Sequence, residues 1–99
     1  MVFVVSRWWY PSHKQAEVLK TYQKTVAEGR PESVGEVVVF ANKGSKRGIV
    51  GMSFRKVTPE KIAEGMTEAI NILQNYAEIE GYEANVEIWA DLTEVPEES

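Results

Sequence analysis

Val2-Phe3-Val4-Val5-Ser6-Arg7-Trp8-Trp9-Tyr10-Pro11 opens the chain and carries its most informative pattern. β-branched and aromatic residues suit a pleated strand, and Pro11 ends it because it has no amide hydrogen for the ladder. Side chains alternate across a strand, so Val2, Val4, Trp8 and Tyr10 fall on one face and Phe3, Val5 and Trp9 on the other. Both faces are apolar, which predicts a strand covered on both sides.

Downstream, Ser12 and Gln15 have the spacing of a capping box, and Ala16, Leu19, Tyr22 and Val26 recur at helical spacing until Gly29 and Pro31 supply a stop. Val34–Ala41 and Gly48–Val57 read as two further strands, joined by the polar, glycine-containing segment Asn42–Arg47 as an antiparallel hairpin. Thr58-Pro59 then predicts the start of a second helix that ends near Gly81, with Ile62, Ala63, Met66, Ala69, Ile70, Leu73 and Tyr76 or Ala77 as its apolar stripe. Ala84, Val86, Ile88 and Ala90 alternate with Asn85, Glu87, Trp89 and Asp91, the pattern of a fourth strand.

This order predicts an α+β domain of ferredoxin-like βαββαβ topology, a four-stranded antiparallel sheet with two helices on one face. One domain over residues 1–95 is expected from the 99-residue length, followed by an acidic tail at 96–99. The sheet face without helices would then carry one apolar set of strand one together with Trp89, and Val38 and Phe40 or their neighbours. Apolar patches of that size mark interfaces, which predicts a homodimer.

Composition narrows the function. A hydrophobic fraction of 43% and a charged fraction of 26% are those of an ordinary globular protein. The net charge of −4 argues against nucleic-acid binding driven by bulk charge. Lys46-Arg47-Gly48-Ile49-Val50-Gly51-Met52-Ser53-Phe54 echoes an RNA-recognition strand, but Ile49 and Gly51 stand where stacking rings are needed, so RNA binding ranks as a second alternative. No segment approaches the ~20 apolar residues that span a bilayer, and the opening run is too short for a signal-peptide core, so no membrane association is expected. With no cysteine there is no thiolate site, and a reducing, cytoplasmic location is expected. His13 is the sole histidine and Glu17 its one nearby ligand, too few for zinc, so neither metal nor other cofactor is expected. Glu87 and Asp91 share a face but lie roughly 13 Å apart along a strand, too far for a glycosidase acid and base.

The candidate ligand-binding residues are Arg7, Trp9, His13 and Arg55: a ring, two fixed cations and one group able to give or take a proton. Trp8, Phe40 and Trp89 are the candidate dimer-interface residues, since tryptophan is enriched among residues that dominate binding energy.

Over nearly its whole length the chain resembles the dimeric α+β barrel superfamily, which includes antibiotic-biosynthesis-type monooxygenases and relatives of chlorite dismutase. Locally it is similar to small uncharacterised families of that group in the strand ending Tyr10-Pro11, in Arg47-Gly48-Ile49-Val50-Gly51, and from Tyr76-Ala77-Glu78 through Trp89. The resemblance implies a homodimer joined sheet to sheet, with a cavity between each sheet and its helices that in some relatives holds a hydrophobic substrate or haem. His13 lies too early in its helix to be assigned the haem-ligand role, which leaves haem binding as a minor reading. Two functions follow as expectations: a small dimeric protein binding a hydrophobic ligand in that cavity, or a cofactor-independent monooxygenase or isomerase acting on an aromatic or polyketide-like substrate.

Overall fold

The computed structural model describes residues 1–27 and 35–94. Within them run β1 (Val2–Tyr10), α1 (Gln15–Ala27), β2 (Glu36–Ser45), β3 (Gly48–Val57), α2 (Ile62–Gln74) and β4 (Glu83–Ala90). The strands form one antiparallel sheet in the order β2-β3-β1-β4. Each β-α-β unit is split: β3 lies between β1 and β2, and β1 lies between β3 and β4. The chain is thus an α+β domain of ferredoxin-like topology. The expected helix stop at Gly29 and Pro31, the first residue of the expected second strand, and the boundary at 95 with its tail lie outside the described residues.

Several boundaries shift for identifiable reasons. The hairpin ladder runs on to Ser45↔Gly48, so Asn42–Ser45, expected in a loop, belong to β2 and only Lys46-Arg47 turn the chain. The Ser45 hydroxyl holds this turn, donating to the Gly48 carbonyl at 2.9 Å and accepting from the Arg47 amide at 3.3 Å. Both helices begin with a single 3₁₀ turn, Ser12–Lys14 and Pro59–Lys61, and neither expected side-chain cap forms. α2 ends at Gln74 rather than near Gly81, and the chain then passes through turns closed by Ala77→Gln74, Ile79→Tyr76 and Tyr82→Ile79 amide bonds.

The two helices cover the sheet unequally. From α2, Ile62, Met66 and Ala69 meet Val2, Val4, Val57 and Val86 in a dry core. The predicted stripe residues Ala63 and Ile70 instead face outward. α1 has no buried residue and approaches the strands far less closely. Its expected apolar stripe is exposed at Leu19 (52%) and Val26 (51%), while Val18, Thr21 and Thr25 form its half-buried side. A side of one valine and two threonines gains little by burial. No helix among the described residues is long and apolar enough to cross a membrane.

After β4, Asp91 anchors the chain. Its Oδ1 accepts the Thr93 hydroxyl at 2.6 Å and the Thr93 amide at 3.0 Å, and Lys56 Nζ lies 3.5 Å from Oδ2. The Thr93 hydroxyl chiefly, helped by its amide and by Lys56, holds the carboxyl below the ordinary carboxylate range against the opposing effect of desolvation. A carboxyl whose folded pKa is depressed stabilises the fold above its unfolded value and loses that contribution as pH falls through the folded value. Thermal melts between pH 7 and pH 3 are therefore expected to show Asp91→Asn less stable than wild type at neutral pH, the gap closing below about pH 4.

Candidate functional site

Because α1 stands off the sheet, a cavity of about 340 Å³ opens between the two helices and the strands. Its floor can be followed along the register. Val4, Arg55 and Val37 lie side by side, then Ser6, Ser53 and Phe40, then Trp8, Gly51 and Asn42, and finally Tyr10. Leu19 and Tyr22 of α1, Ile72 and Leu73 of α2, and Tyr76 in the turn after it form the roof. The volume sits at the small end of ligand sites, and a mostly apolar wall with a few placed polar groups is their usual chemistry.

Four features organise the wall. Trp8 lies flat across β3 and donates its indole Nε1–H to Asn42 Oδ1 at 2.8 Å. This is possible because Gly51 stands opposite both residues: a Cβ there would overlap the indole Nε1 and Cε2 and the Asn42 amide oxygen. At one end Tyr82 stacks between Tyr76 (5.0 Å, 13°) and Tyr10 (5.9 Å, 11°). Burial raises the pKa of Tyr10, and that of Tyr82 further, with the neighbouring phenols adding to the effect, so both remain neutral hydroxyls in the folded protein. On the cavity floor Arg55 is paired with Glu68 of α2, Nη1 to Oε1 at 2.7 Å, out of line for a hydrogen bond, with side-chain exposures of 6% and 13%. Phe40 closes the mouth at the sheet edge, edge-on to Trp8 (5.8 Å) and to Tyr22 (5.6 Å).

The opposite face of the sheet carries its own cluster. Phe54 packs edge-on against Phe3 (5.4 Å) and Trp89 (5.2 Å). Trp89 Nε1 donates to Glu87 at 2.9 Å, and Arg7 lies 3.9 Å from the same carboxylate. Trp9 lies further along this face, with the Arg47 guanidinium 5.9 Å from its ring centre.

The structure thus distributes the sequence candidates differently from expectation. Of Arg7, Trp9, His13 and Arg55, only Arg55 lines the cavity. Arg7 and Trp9 occupy odd positions of β1 and face away from the helices, and His13 sits exposed in the 3₁₀ turn before α1. Of Trp8, Phe40 and Trp89, Trp89 faces the open side, while Trp8 and Phe40 line the cavity. A β-bulge between Val37 and Val39 accounts for Phe40. The extra residue resets the alternation, so Val37 and Phe40 both face the helices and Val39 and Ala41 the open side. Asn42, Ser53, Tyr76 and Tyr82 join the cavity wall without a sequence signal of their own, although a glycine such as Gly51 inside a strand marks a place where another group approaches closely. Among the described residues no group of three or more histidines or carboxylates is placed to hold a metal ion.

Fold and cavity together define the class: a small ferredoxin-like α+β domain with an aromatic-lined cavity beneath its helices. No family model matches the chain, and no curated protein or solved structure matches it either.

Gly51→Ala is expected to push Trp8 out of its slot and break the bond to Asn42. A cost of about 1–3 kcal/mol follows from overpacking, read as a lower denaturation midpoint together with loss of the shifted Trp8 indole N–H resonance.

Proposed function

We propose that the protein binds a small, mainly apolar molecule in the cavity between its sheet and helices, and that it works as a cytoplasmic homodimer joined through the open sheet face. The cavity carries the binding reading: it is concave, aromatic, and bounded by the helix that has the least reason to collapse onto the sheet. Trp8 lies in the wall, so a ligand entering there should change its fluorescence and its indole N–H shift. A screen of small aromatic and aliphatic compounds by thermal shift and by indole N–H titration tests this. Ser53→Phe places a ring in the same space and is expected to abolish binding while the protein still folds. If no compound perturbs Trp8, or if Ser53→Phe binds as wild type does, the cavity is not the site.

The dimer reading rests on the Phe3, Phe54 and Trp89 cluster, with Met52, Val50 and Val39 beside it on the open face. Lys43 on β2 and Glu83 on β4 both lie on the row of Val50 and Trp9, at opposite edges of this face. A two-fold axis along the strands would bring the Lys43 of each copy toward the Glu83 of the other, the self-complementarity that an isologous interface requires. Light scattering at micromolar concentration is expected to give twice the monomer mass. Trp89→Asp should shift it toward the monomer with the circular dichroism spectrum unchanged, because Trp89 is 42% exposed in the single chain. A monomeric wild type would rule the dimer out.

A further inference from the structure

Arg55 is the single charged group lining the cavity among the described residues, and it is 5% exposed. Its counter-ion Glu68 lies behind it on α2 and does not line the cavity. The guanidinium has five N–H donors, and even the closest atom pair with Glu68 is out of line for a hydrogen bond, so donors remain for a group in the cavity. The hydroxyls of Ser6 and Ser53, one row along the floor and roughly 7 Å from Arg55 along the strand, also face the cavity and have no hydrogen-bond partner among the described residues.

We infer that the Arg55–Glu68 pair makes the cavity select uncharged hydrogen-bond acceptors, molecules with a ketone, ester or amide carbonyl on a flat apolar body, and reject carboxylates of the same shape. This rests on the proposed ligand-binding role of the cavity. A buried guanidinium alone would favour an anion, but Glu68 already balances the charge. A carboxylate placed against Arg55 would leave a net negative charge in a nearly dry site, where desolvation is costly. A carbonyl oxygen accepts from the charged donor without that penalty and gains a charge-assisted hydrogen bond. A hydrocarbon of equal shape gains neither, and leaves the guanidinium donors unmet. Glu68 is therefore the specificity-determining residue, although it never touches the ligand.

Acetophenone, benzoate and ethylbenzene share one ring and nearly one shape, and their affinities are measured by calorimetry at neutral pH, with the Trp8 indole resonance confirming occupancy of the cavity. Wild type is expected to bind acetophenone at least about tenfold more tightly than either of the others, the discrimination that one hydrogen bond to a charged group provides. Glu68→Gln should reverse the order of acetophenone and benzoate. The double variant Arg55→Met, Glu68→Leu removes both charges at similar volume, so it is available where Glu68→Gln fails to fold, and it should bind acetophenone and ethylbenzene alike. Wild type binding benzoate as tightly as acetophenone overturns the inference while the ligand-binding role stands, and so does equal binding of ethylbenzene. If none of the three perturbs Trp8, the ligand-binding role itself fails and the selectivity with it.

Discussion

β1 is hydrogen-bonded along both of its edges, to β3 on one side and β4 on the other, with an uninterrupted register from Val2 to Trp9. A strand held on both sides has no freedom to slip, because a one-residue shift would move every side chain to the other face. Trp8 and Trp9 are thereby locked on opposite sides of the sheet. The helix-side cavity and the open aromatic face are consequences of the same pairing.

The uneven cover of the two helices follows from what each presents. α2 supplies Ile62, Met66, Ala69 and Leu73 at spacings of three and four, and Tyr76, in the turn just after it, extends this inward row. α1 supplies Val18, Thr21 and Thr25, and its bulkier residues turn toward the mouth and solvent. A side-chain hydrogen bond ties α1 to the end of α2, from Asn75 Nδ2, just past that helix, to Thr25 Oγ1 at 3.3 Å. A helix attached in this way leaves space beneath it, and that space is filled neither by its own side chains nor by those of the sheet.

Element order, the strands and the two-faced character of β1 were legible in the sequence because each depends on local spacing alone. The residues that assemble the cavity were not. Phe40 was misplaced by a bulge at Val37–Val39, which no composition signal marks in a run of three valines. Arg7 and Arg55 look alike in sequence, as arginines within otherwise largely apolar strands. Only the register shows that Arg55 faces the helices and finds Glu68, whereas Arg7 faces the open side and meets Glu87. The stack of Tyr10, Tyr76 and Tyr82 joins three segments that no periodicity connects.

Retention of a buried ion pair in so small a core calls for a reason other than stability. Replacing such a pair by apolar side chains is commonly neutral or stabilising, since desolvating two charges consumes most of their mutual attraction. An apolar pair at positions 55 and 68 would extend the dry core of Val4, Val57 and Ala69 into the cavity. Arg55 and Glu68 instead keep a polar, neutral end on an otherwise apolar space, with the two serine hydroxyls adjacent. That arrangement weakens the core and gives the cavity a chemical direction, a balance that favours a binding site over a packing defect.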